Sequence, residues 1–436
     1  MKVIPIQPVA DASRSAASGW HLRWLLAAPH RLGFFAAALM LLGTALWWTT
    51  VLLARSLGLT TAWAVSPPAA HALLMSLAFM PLFIVGFLFT AGPRWLGQPA
   101  VPARSLLAPV LAMLLGWCVA LPGIHLHAAL AGAGMALVAL GWSGLCWRFI
   151  TMLRASRVPD HTPEHVPDPT HASVVVLACT VGALTMWVAA AALVTGQVAL
   201  LRAATQVAIW CFVGTVFAAV SHRMLPFFNG SALPLLDAWR PMWLLWLIVT
   251  ALWLEAPFAV AQLWWPLPAA VRWVQVAVEL PAALLLLWLA LRSSLVQGLK
   301  IRLLAMLHAG FLWLGIAFAL AAVSHALLAL TDGEQSLGLA PTHALTMGYL
   351  GATLFAMATR VASGHSGRSL AADNTAWALY WVLQAAVLLR VVGALWPAGA
   401  TPLTVLAVLA WTTAMGGWAL RYGNWFVRPR IDGRPG

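Results

Sequence analysis

One short pattern occurs twice in this chain. Residues 71–75 read His-Ala-Leu-Leu-Met and residues 343–347 read His-Ala-Leu-Thr-Met. Each copy leads into about five turns of apolar helix and then a glycine-containing basic exit. Neutral imidazole is a ligand for haem iron or copper, a small alanine beside it lets a flat macrocycle approach, and a methionine one turn on fills the space next to the ring. His71 and His343, with Met75 and Met347 as packing neighbours, are therefore candidate axial ligands of a b-type haem. Such a haem needs no CxxCH attachment, and the chain has none. Mg²⁺ or Ca²⁺ would require several carboxylates at the same place.

Three further histidines could serve copper. His125 and His127 follow Pro122-Gly123, so in a non-helical lead-in both rings can turn to one ion although positions i and i+2 do not share a helical face. His325 completes that set; the competing reading is a wet connecting turn. The cysteines Cys118, Cys146, Cys179 and Cys211 lie in apolar runs without CxxC spacing, which excludes a zinc ribbon and leaves Cys118 alone as a possible copper ligand. Glu255 and Glu279 are the carboxylates inside apolar runs. They are expected to share a proton, or to pair with Arg272 or Arg202, and they could form a proton path. His222 with Arg223, His308, and His365 with Arg368 form a second candidate cluster for a haem propionate, a second haem or a quinone, against the plainer reading of helix caps and topology signals. The stretch Arg154 to His171 reads as a solvated linker, since Pro163 prevents the helix that would align His161 and His165.

These side chains need a scaffold, and composition names it. Hydrophobic residues make up 62% of 436 residues, charged residues 8%, and mean hydropathy is +0.89, so lipid must be the solvent. The net charge of +13 sits in turns between apolar runs and does not indicate nucleic acid. Twelve apolar segments, near 33–54, 70–92, 106–122, 126–150, 173–194, 203–221, 242–260, 269–291, 303–329, 341–361, 375–395 and 402–421, can each cross a hydrocarbon core of about 30 Å. They lack the alternation of a membrane barrel. The expected fold is an all-α integral membrane bundle of about twelve helices: a basic N-terminal tail over 1–30, one polytopic domain over 31–421, and a C-terminal tail over 422–436.

Of the 24 Lys and Arg, only Arg55, Arg202, Arg272 and Arg390 fall outside the tails and the turns after even-numbered segments. That bias places both termini in the cytoplasm. Residues 1–30 are not a cleavable signal, because Arg55 rather than a small-residue site follows the first apolar run. With that orientation His71, His125, His127, His325 and His343 share one layer near the outer face. Ionisable groups at one depth in a membrane bundle mark a site.

The stretches "APHRLGFFAAALMLLGTALWW", "HALLMSLAFMPLFIVGFLFTAGPRWLGQP", "SHRMLPFFNGSALP" and "HALTMGYLGATLFAMATRVASGHSGRSL" resemble the NnrS family of bacterial inner-membrane proteins. The resemblance runs over essentially the whole chain. It implies a twelve-helix haem- and copper-containing protein of the bacterial cytoplasmic membrane, tied to nitric oxide metabolism and protection from nitrosative stress, with an electron donor or quinone as a possible partner. A transporter or cofactor-handling protein for copper or haem is the alternative. The twelve-helix haem-copper oxidase subunit also takes haem ligands from its second and tenth helices. Here, however, helix 7 has no His-His pair and helix 10 no close second His, which argues against a dinuclear oxygen-reducing centre.

Overall fold

The computed structural model of the protein describes residues 19–156, 169–232, 241–297 and 301–433. Residues 157–168 of the expected linker, and parts of both tails, lie outside this range. Among the described residues every regular element is helical. Eleven helices are long and apolar enough to span a bilayer: α1 Pro29–Ser56, α2 Pro67–Trp95, α3 Ala103–Leu126, α4 Ala128–Ala155, α5 Pro169–Val194, α6 Val198–Met224, α7 Met242–Ala261, α8 Ala269–Arg292, α9 Arg302–Leu330, α11 Asn374–Leu395 and α12 Pro397–Phe426. The remaining segment, α10 at 340–365, is a continuous helical rod as well. It is the more polar one, with Thr342, His343, Thr346, Tyr349, Thr353, Thr359 and Arg360 along it. Every residue from Gly348 to Thr359 is buried, so α10 meets protein on all sides and needs no lipid-matching surface.

Helix starts follow local chemistry. Proline opens α1, α2 and α5, where its missing N–H costs nothing. His127 caps α4 through its side chain, and the Asp373 carboxylate accepts the Ala376 N–H at 2.9 Å to cap α11. Proline also interrupts: α2 breaks at Ala78-Phe79, just before Pro81, which cannot donate to the carbonyl of Leu77. Three wide π turns interrupt α6 at Ala208–Gly214, α10 at Ala344–Gly351 and α12 at Thr412–Gly416. Such turns gather at functional positions.

Small residues bring the helices together, since lipid provides no hydrophobic drive between them. Gly33 of α1 lies against Gly86 of α2, where an added Cβ would stand 2.5 Å from the Gly86 backbone. Gly116 of α3 meets Gly134 of α4 in the same manner. The buried core includes Trp117, Trp142 and Trp418, so tryptophan is not confined to helix ends. Each indole that reaches a partner donates inward: Trp142 to the Cys179 carbonyl at 3.0 Å and Trp418 to Thr359 Oγ1 at 2.9 Å.

Candidate functional site

The π turn of α10 begins directly after His343. The ring's Nδ1–H donates to the carbonyl of Leu339 at 2.9 Å, so its Nε2 carries the lone pair. That is the arrangement in which an imidazole is both oriented and ready to ligate. His71 comes from the start of α2. Its ring stacks on Trp48 of α1, with centroids 4.1 Å apart and planes 20° apart, and its Nδ1 is buried without a hydrogen-bond partner. His71, His343 and Arg390 of α11 lie within electrostatic reach of one another. Met75 and Met347 are half-buried and pack against the core beside their histidines. Two imidazoles with open valence and one guanidinium fit a haem, which asks for axial nitrogen and for a cation near its carboxylates.

The proposed copper set does not gather. His125 is saturated: Trp47 Nε1–H donates to its Nε2 at 2.8 Å, so its Nδ1–H is left to donate to the Ala62 carbonyl at 3.0 Å. His127 points its Nδ1 at the Ala129 N–H as a helix cap. His325 lies elsewhere, with its Nδ1 2.7 Å from Glu279 Oε1. Among the described residues no group of three His, Cys, Asp or Glu is placed to hold a metal ion, and Cys118 is exposed and free. The three histidines are thus a structural latch, a cap and an acid partner, because each found a nearer backbone or carboxylate group than a shared ion.

The second cluster also resolves into separate pairs. His222 Nε2–H donates to the Pro241 carbonyl at 3.1 Å, and its Nδ1 accepts from His171 Nε2–H at 3.0 Å. His171 is therefore a buried residue of α5 rather than part of a solvated linker. Arg223 lies over the Trp95 ring at 4.9 Å and Arg368 over Trp425 at 4.1 Å. His308 Nδ1 bonds the Leu304 carbonyl of its own helix at 2.7 Å. His365 instead meets His30 of α1, ring centroids 4.1 Å apart, with Arg430 donating to the His365 carbonyl at 3.1 Å. His30 is 1% exposed and its Nδ1 has no partner.

Glu255 of α7 and Glu279 of α8 come together, with the two carboxyl groups within interaction range. Between the two ends of the bundle lies an apolar cavity of about 50 Å³, walled by Phe34, Phe83, Phe87, Phe217, Leu354 and Met357. These walls belong to α1, α2, α6 and α10, so the chamber sits between His71 with His343 at one end and His30 with His365 at the other. Sequence reasoning missed His30, His171, Trp48 and Arg390. His30 could have been found: a histidine directly after an N1 proline, facing the fold from the first turn of α1, is a placed residue and not a tail residue.

The chain matches the family model described as NnrS protein over residues 24–430. Among solved structures it is similar to a heme-copper terminal oxidase dimer studied by cryo-EM, at 12% identity and a TM-score of 0.50, covering 93% of this chain and 86% of that one. At that identity the likeness concerns the helical fold alone. No curated protein matches the sequence.

Proposed function

Since the chain belongs to the NnrS family, we propose that it is a haem- and copper-associated protein of the bacterial cytoplasmic membrane that acts in nitric oxide metabolism or in protection from nitrosative stress. The observation that carries this reading is the approach of His71, whose buried Nδ1 has no partner, to His343, whose Nε2 is left as the unprotonated nitrogen, beside Arg390. A haem held there would supply an iron centre able to take part in electron transfer. The protein's own contribution is orientation. Leu339 sets the tautomer of His343, Trp48 fixes the plane of His71, and Arg390 supplies a nearby positive charge that would suit the carboxylates of a bound haem. The apolar chamber supports the nitric oxide assignment, because a small uncharged molecule enters such a space without losing hydrogen bonds to water. Copper has no ligand set among the described residues, and no residue is assigned to it.

The absorption spectrum of the purified protein tests the proposal. Stoichiometric haem with a Soret band that shifts on adding nitric oxide is the expected result. Substoichiometric, exchangeable metal with no nitric oxide response would replace it with a role in moving copper or haem.

A further inference from the structure

Independently of the haem reading, we infer that Glu255 and Glu279 hold a single proton between them, in a buried proton-binding site that exchanges with water through His325. Glu255 is 5% exposed and Glu279 0%. Each sits two residues before an in-helix proline, Pro257 in α7 and Pro281 in α8. Proline frees the carbonyl four residues earlier and opens the helix beside the carboxyl.

The hydrogen bonds around the pair run in one direction. Arg272 donates to Gln275 Oε1 at 3.2 Å and to Gln262 Oε1 at 3.4 Å. With Gln275 Oε1 occupied, its Nε2–H donates to His325 Nε2 at 3.3 Å, and His325 must then carry its proton on Nδ1, which donates to Glu279 Oε1 at 2.7 Å. His325 is neutral in this chain, and Glu279 is the terminal acceptor. Glu279 Oε2 is buried and finds no donor at hydrogen-bond length, while the Glu255 carboxyl lies within interaction range. Arg272, His325 and the two acids are the charged and titratable groups that bear on one another here.

Charge balance sets the proton count. One cation, two carboxyls and a neutral imidazole are electrically neutral only when one proton resides on the acid pair. With none, two adjacent carboxylates repel in a medium that screens poorly; with two, Arg272 is buried without a counter-charge. The proton belongs to the pair and not to either residue. His325 is the exchange point, because its side chain is 15% exposed and lies within two turns of the α9 terminus at Leu330, while that of Glu279 is fully enclosed. When the Gln275 amide turns aside, Nε2 can accept a proton while Nδ1 passes its own to Glu279.

Infrared spectroscopy of the intact purified protein in H₂O and D₂O reads this directly. The other acids of the chain lie outside the apolar runs, so a protonated-carboxyl stretch that the glutamine variants remove reports on this pair. Wild-type protein is expected to show one such band that shifts in D₂O. Glu255→Gln and Glu279→Gln should each abolish it completely, since the remaining carboxylate then neutralises Arg272 alone. His325→Asn should keep the band and slow its D₂O shift about tenfold or more. No band in wild-type protein at neutral pH overturns the site, and this result stands even where a variant cannot be purified. A band of full intensity surviving in either glutamine variant overturns the sharing, and unchanged exchange in His325→Asn overturns the route.

Discussion

His343 and His71 differ in how the fold prepares them, and that difference makes a prediction. His343 has its tautomer set by Leu339, whereas His71 is held by ring stacking alone. His71→Ala and His343→Ala should both reduce haem content or convert a six-coordinate low-spin spectrum to five-coordinate. His125→Ala should leave bound haem and copper unchanged while lowering thermal stability, since it unmakes the Trp47–His125–Ala62 chain. Retention of an unchanged low-spin haem in both ligand variants would move attention to His30 and His365. Asp373 answers to pH. Burial alone would push its carboxyl up, but hydrogen bonds from Arg421 and the Ala376 N–H hold it below the usual carboxylate range. The contact of Asp373 with Arg421 and its cap on α11 are therefore present above the ordinary carboxylate range and lost as pH falls through the lowered value. Asp373→Ala should cost about 1 kcal/mol through the lost cap, and its acid melting should show less pH dependence than that of wild type. The repeated His-Ala-Leu-x-Met was legible because a pattern written twice stands out against apolar text. The fates of His125, His127 and His325 were not, because spacing does not reveal a nearer carbonyl or carboxylate on another helix.

Glycine positions separate contact from composition. Gly33 and Gly43 lie on the same helix, yet a Cβ on Gly33 would strike the Gly86 backbone and one on Gly43 would meet nothing within 4 Å. Gly33→Ala should destabilise the protein by something on the order of 1–3 kcal/mol. Gly43→Ala should be neutral or slightly stabilising through helix propensity. A melting series in one detergent distinguishes the two, and equal effects would mean that α1 and α2 do not cross at Gly33. Helix existence was readable from length and hydropathy for eleven of the runs, and α10, the more polar one, was readable from its repeated motif. Interruptions were only half readable. Pro81 marks the break in α2 openly, but the π turns of α6, α10 and α12 carry no sequence punctuation, and a wheel drawn at 3.6 residues per turn loses phase across each of them.

Topology is the prediction that governs the whole chain. With 20 of 24 basic residues in the tails and in the turns after even-numbered segments, a reporter fused after Gly436 should read as cytoplasmic and one inserted near Gly333 as periplasmic. The opposite result would place the His71 and His343 layer at the inner face. The bundle of twelve rods was legible in advance, whereas the order in which they pack was not. Helix α1 lies against α12, the last helix. Arg31, 2% exposed in the first turn of α1, donates to the carbonyls of Phe426 and Arg428, 395 and 397 residues later. The His21 N–H likewise reaches the Val427 carbonyl. During synthesis, then, α1 carries an arginine whose final partners have yet to be translated. Until the ribosome delivers α12, that guanidinium must be held by water, lipid headgroups or an insertion factor. The α1 contact is accordingly completed only by α12, and deletion of residues 426–430 should leave chains that quality-control proteases recognise as unfinished.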